Sequence, residues 1–187
     1  MKDIDRYLEE LERASLCAEK ALEISFSVDY ASYPETERHT WAAAAIIHCD
    51  IFRYFIAYQK STRQGVERLL WIGDIVCTLW EARNWFNQSG NHRLLNIATS
   101  NGYGGEVLRE QLKTLNEAYP LGGIDAYKKY RNKAGHHYDM DFVKHVYAFS
   151  QMEYDPFYRV FLNYSKFAHE WLKLCLAVVK YGHQSSG

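Results

Sequence analysis

The chain reads as an all-α protein, an antiparallel up-and-down bundle of about five to seven helices. Apolar residues recur at three- and four-residue spacing through both ends of the chain, which lays one stripe along a helix of 3.6 residues per turn. Strand-type alternation is absent, and so are fixed-period repeats and low-complexity tracts. At 187 residues and 48% hydrophobic content the chain can bury one substantial core. A single domain over residues 1–187 is expected, with a short flexible tail at 182–187.

The first helix follows from Ile4, Tyr7, Leu8, Leu11, Ala14, Ala18, Ala21, Leu22 and Phe26. At Ser32-Tyr33-Pro34-Glu35 the pattern breaks on a start signal, because proline is tolerated in a first turn and acids there complement the helix dipole. The second helix then runs to about Gln59. Its stretches Trp41 to Ile47 and Ile51 to Ile56 are apolar nearly all round, as befits a central helix. Ser61 and Thr62 offer caps for a third helix, carrying Leu69, Ile72, Val76, Leu79, Trp80 and Phe86. Turn formers at Asn87-Gln88-Ser89-Gly90 should end it and return the chain antiparallel. A shorter helix near Arg93 to Thr99, a glycine-rich loop and a helix through Val107, Leu108, Leu112 and Leu115 follow, stopped by Pro120. Asp125 can open the next helix through Ala126, Tyr127 and Tyr130. Phe142 to Ser150 fits helix or strand. The final helix starts at Asp155-Pro156 and aligns Phe157, Val160, Phe161, Tyr164, Phe167, Ala168, Trp171, Cys175 and Val178.

A formal charge of −1 means that an anionic partner must meet a local basic cluster, which excludes a histone-like coating protein. The 15 Tyr and 5 Trp suit a tyrosine-rich core and subunit contacts first, and nucleobase stacking second. Cys17, Cys49, Cys77 and Cys175 form no C-x-x-C pair and read as buried thiols of a reducing compartment. The charged start Met1-Lys2-Asp3 and the lack of any apolar run near 18 residues point to a cytoplasmic protein with no membrane partner. No phosphate-binding loop, dinucleotide fingerprint or serine-nucleophile elbow occurs, and Gly102 to Gly105 lacks the lysine and strand such loops need.

The chemically suggestive stretch is Tyr130 to Asp139. Lys128, Lys129, Arg131 and Lys133 crowd around Tyr127 and Tyr130, and His136 and His137 lie just beyond. A basic cluster alone is usually a solvated helix face; the histidines set this one apart. On a continuous helix Asn132 and His136 share a face, whereas Arg131 and His136 differ by about 140°. Gly135 can end the helix and let the histidines fold back. A permanent cation, an orienting amide and an imidazole that titrates near neutrality suit phosphodiester cleavage. The histidine would move the proton of a ribose 2′-hydroxyl or of the leaving oxygen, and arginine would stabilise charge on the phosphate, with no metal or other cofactor.

Arg131-Asn132-Lys133-Ala134-Gly135-His136 resembles the motif of the HEPN superfamily: an arginine, usually followed by Asn, Asp or His, then a histidine four to six residues on. His137 also fits that spacing, although the Asn132 to His136 separation favours His136. The resemblance implies one HEPN-like helical domain with its motif at 131–137, and often metal-independent endoribonuclease activity. It also implies a homodimer whose motif helices meet in one composite site. Arg131, Asn132, His136 and His137 would be catalytic, and Lys128, Lys129, Lys133 and Tyr130 would bind RNA. Bacterial defence, or a toxin with an antitoxin protein as partner, is the implied setting. The alternative is a non-catalytic helical module that binds RNA, a nucleotide or a protein partner through the same surface.

Other candidates are weaker. His136, His137, Asp139 and Asp141 could ligate a metal, but no second ligand group accompanies them, and no metal site is expected. Asp50 and Asp74 sit among apolar residues and could orient Arg131, although a solvent-facing position is the commoner fate. His48 and His169 read as hydrogen-bonded core or boundary histidines. Glu81-Ala82-Arg83-Asn84 repeats the Arg-Asn pair but stands too far from His92, and reads as helix surface.

Overall fold

The computed structural model describes residues 2–61, 66–129, 131, 143, 144, 147, 148 and 154–184. Among these residues every regular element is helical and no strand occurs, as an all-α bundle requires. Six α-helices are present among them: α1 (Lys2–Phe26), α2 (Glu35–Lys60), α3 (Val66–Asn84), α4 (Asn91–Ser100), α5 (Gly105–Ala118) and α6 (Tyr154–Gln184). A π-helical turn (Trp85–Gly90) joins α3 to α4, and 3-10 segments cover Val28–Tyr30 and Leu121–Tyr127. No helix of the described residues is long and apolar enough to cross a membrane. Residues 143, 144, 147 and 148, in the stretch left open between helix and strand, are helical.

The helix α2 is central, packing against α1, α3, α4 and α6. Small residues let α1 approach it closely: Ala14, Ala18 and Ala21 of α1 and Ala42, Ala44 and Ala45 of α2 are all buried. The buried face of α1 runs through Tyr7, Ala14, Ala18, Ala21 and Ser25, so two members of the expected stripe fall off its edge. Leu22 is 42% exposed and Phe26 is 76% exposed, with the Phe26 ring 5.6 Å from that of His39. Each sits one position beyond a buried residue, about 100° round the helix. The C-terminal carbonyls of α1 are capped from α2: the Arg38 guanidinium donates to Ser25 O at 2.5 Å and to Ile24 O at 3.5 Å, and it also donates to Tyr33 O of the connecting segment at 3.1 Å.

Two expected boundaries differ. Ser61 closes α2 instead of opening α3, its N–H donating to Ala57 O and its hydroxyl to Tyr58 O; Thr62 lies outside the described residues. The turn formers at Asn87 to Gly90 do not return the chain. The backbone stays helical from Val66 to Ser100, and α2 packs along both α3 and α4. Packing explains why. The Trp85 and Phe86 rings lie 5.5 and 5.4 Å from Trp171, and Trp171 Nε1 donates to Asn91 Oδ1 at 2.8 Å. A π-helical turn holds one extra residue, which turns both neighbouring rings toward α6. Gly90 is needed because a Cβ there would lie 2.7 Å from Trp85 Cζ3.

The long helix α6 carries the aromatic core. Phe161 stacks on Phe55 at 3.7 Å with an interplanar angle of 7°, and Phe167 meets Phe86 at 5.1 Å. Gly182 to Gln184, expected in the tail, continue α6, and Gly182 packs closely on Asn101. Only Cys175 among the four cysteines is fully buried; Cys17, Cys49 and Cys77 are half-buried. All four are free thiols that burial pushes up, Cys175 to about 12. The Gly90→Ala variant should lose about 1–3 kcal/mol from crowding the Trp85 ring, while Gly122→Ala, with open space around it, should be neutral or slightly stabilising. Urea denaturation of the two variants measures this, and equal stabilities would refute the packing account of the π turn.

Candidate functional site

The segment leading to Arg131 is built by a period of three. In a 3-10 helix residues three apart lie one above another, and Leu121, Ile124 and Tyr127 are all buried while the positions between them are exposed. That buried edge rests on α6. Tyr164 donates its hydroxyl to Leu121 O at 2.8 Å, and the Tyr127 ring meets Phe157 edge-on at 5.4 Å. Burial raises both phenols, so both stay protonated. Gly123 lets the segment come close, since a Cβ there would lie 2.9 Å from Val160 Cγ2. Asp125 therefore sits inside the 3-10 segment and does not cap a helix; its carboxylate pairs with Arg83.

The exposed edge is tied to α3 by two ion pairs. Arg83 Nη1 lies 2.5 Å from Asp125 Oδ1, and Arg131 Nη2 lies 3.1 Å from Glu81 Oε1. Both guanidiniums also lie over the Trp80 indole, Arg131 at 5.0 Å and Arg83 at 5.7 Å from the ring centroid. Lys128 and Lys129 are exposed alongside. Trp80, Glu81, Arg83 and Asp125 thus surround Arg131, although the sequence marks Glu81 and Arg83 only as helix surface.

Arg131 is accordingly held by Glu81, and Asp50 pairs with Arg53 at 2.5 Å. Asp74 belongs to the same neighbourhood through Cys77. Burial raises the Cys77 thiol, Arg131 opposes the shift, and Asp74 and Glu81 add to it. Tyr130, Asn132, Lys133, His136, His137, Asp139 and Asp141 of the expected site lie outside the described residues. Of the expected site, the structure therefore places Arg131 with Lys128 and Lys129. His48 departs from expectation: it is 8% exposed, edge-on to Phe52, and its Nδ1 is buried without a hydrogen-bond partner. Burial, reinforced by His169 at 5.8 Å, pulls its imidazole down to about 4. No family model, curated protein or solved structure matches the chain.

Chemically the patch offers paired guanidiniums, an indole and two exposed ammonium groups, with the carboxylates Glu81 and Asp125 as internal counterions. The Arg131–Glu81 pair is open to solvent, at 34% and 67% side-chain exposure, so its net contribution to stability falls below about 1 kcal/mol. Tyr164→Phe removes the buried hydrogen bond to Leu121 O and should lose about 1–2 kcal/mol, more than Glu81→Gln. Chemical denaturation ranks the two, and the reverse order would show that the ion pairs anchor the segment. His48 makes a separate pH prediction. The unfolded chain binds its proton below 6.5 and the folded chain only below about 4, so stability is full above pH 6.5 and falls as pH drops between those values. The loss is on the order of 3 kcal/mol. His48→Leu should flatten that limb of the stability–pH curve, and an unchanged limb would contradict the assignment.

Proposed function

We propose that the chain is a HEPN-type, metal-independent endoribonuclease that works as a homodimer through its motif helices. Arg131, Asn132 and His136 or His137 are its working groups, and Lys128, Lys129, Lys133 and Tyr130 hold RNA. The reading is supported by the motif resemblance together with one observation: Arg131 is anchored at the surface, beside exposed lysines and partly open to solvent. A guanidinium in an exposed ion pair can exchange its carboxylate for a phosphate at little cost, because charge pairs in water are weak and a bidentate phosphate contact is strong.

In the proposed reaction a histidine takes the 2′-hydroxyl proton and the 2′-oxygen attacks phosphorus. The bond to the 5′-oxygen then breaks, and that oxygen leaves with the proton that the histidine took from the 2′-hydroxyl. Arg131 neutralises charge on the non-bridging oxygens, and the products carry a 2′,3′-cyclic phosphate and a 5′-hydroxyl. The same resemblance suggests bacterial defence or a toxin–antitoxin pair with an antitoxin protein as partner, and the free cysteines suggest a cytoplasmic setting.

A second reading, a non-catalytic module that binds RNA, a nucleotide or a protein, is favoured by the Glu81 carboxylate that already neutralises Arg131 in the free chain. Cleavage of a labelled RNA pool in the presence of chelator decides between them. Wild type should yield cyclic-phosphate ends, and both Arg131→Ala and the double variant His136→Ala/His137→Ala should lose them while remaining folded. A well-folded wild type that cleaves none of a varied RNA set leaves the binding module.

A further inference from the structure

We infer that Trp80 is the nucleobase contact of the Arg131 site: its indole stacks on the base of the nucleotide whose phosphate Arg131 receives. This rests on the RNA reading above and adds a residue that lies outside the motif, on α3.

The position of Trp80 is unusual for its helix. Leu79, Ala82 and Val76 of α3 fill the core, whereas Trp80, one step round the helix, is only partly buried. A large apolar ring is thereby left partly in water at the centre of a cationic patch. Its two neighbouring guanidiniums are paired, Arg131 with Glu81 and Arg83 with Asp125, and in the free chain the Arg131 guanidinium lies 5.0 Å from the indole centroid. A phosphate bound to that guanidinium carries its base one ribose away, a reach comparable with the separation of the guanidinium from the ring.

The chemistry of single-stranded nucleic acid fits this pair. Cations track the backbone and an aromatic face takes a base, with little preference among bases because each has a π-face. Lys128 and Lys129, exposed beside Arg131, lie where flanking phosphates would run. A tryptophan that served only to prop the two arginines would be indifferent to whether the bound strand carries a base.

That difference sets the test. A short fluorescein-labelled RNA with 2′-O-methyl riboses cannot be cleaved, and single abasic substitutions moved along it remove one base without touching a phosphate. For the wild-type chain, fluorescence anisotropy should find one position where the abasic change weakens binding by about tenfold or more. Trp80→Phe should keep most of that penalty, and Trp80→Leu should erase it while binding the abasic strand as wild type does. Quenching of indole fluorescence by the intact strand but not by the abasic one, lost in Trp80→Phe, reads the same contact should the leucine variant fail to fold. A flat abasic scan in a chain that binds RNA, or an undiminished penalty in Trp80→Leu, overturns the role of Trp80 and leaves the RNA reading standing. A wild type that neither binds nor cleaves RNA removes both.

Discussion

The buried aromatic face of α6 is the constraint on which the rest of the molecule depends. Toward its N-terminal half Phe161 stacks on Phe55 of α2, and Phe157 meets both Tyr58 and Tyr127. Farther along, Phe167 and Trp171 close on Phe86 and Trp85. Large rings bury more apolar area per residue than any other side chain, and their edge-on and offset contacts fix relative orientation as well as proximity. One helix thus sets the placement of α2, the π turn and the segment that leads to Arg131. Three of its aromatic polar tips are matched, Trp171 Nε1 to Asn91, Tyr164 Oη to Leu121 O, and Tyr158 Oη to Tyr7 Oη, whereas Ser165 Oγ is buried without a hydrogen-bond partner.

The candidate site inherits two kinds of support with different strengths. Beneath it, the Leu121–Ile124–Tyr127 edge is buried on α6, where removing a partner leaves an unsatisfied group in the core. Above it, the pairs to Glu81 and Asp125 lie in solvent, where water and salt weaken them. The backbone position of Arg131 is therefore set by packing, and its charge is set by a partner that can be displaced. That division suits a group that must stay in place while exchanging one anion for another.

Much of the helical architecture was legible because apolar spacing reports a helix wherever one face is covered, and α1, α2, α5 and α6 run close to the limits that spacing suggests. Local chemistry misled where tertiary contacts outweighed it. Asn87 to Gly90 look like a turn, yet the Trp85 and Trp171 rings and the Asn91 acceptor hold them helical. Ser61 looks like an N-cap, but its hydroxyl is used on Tyr58 O. Asp125 looks like another cap, but the period of three in Leu121, Ile124 and Tyr127 makes its surroundings a 3-10 segment. In the site, the basic run was visible as a run. Glu81 and Trp80 were not visible as members, because nothing in a linear order of residues brings position 81 to position 131.

The amino-acid sequence by itself determined the helical class, the central place of α2, the aromatic stripe of α6 and the basic cluster around Arg131. All of these follow from periodicity and composition, which act over a few neighbouring residues. Only the tertiary structure decided that α3 continues through a π turn into α4, that His48 is buried with an unpartnered Nδ1, and that Arg131 faces Glu81 over the Trp80 ring. Those outcomes depend on which surfaces meet across α6, and such meetings are settled by the packing of the whole core, beyond the reach of any local pattern.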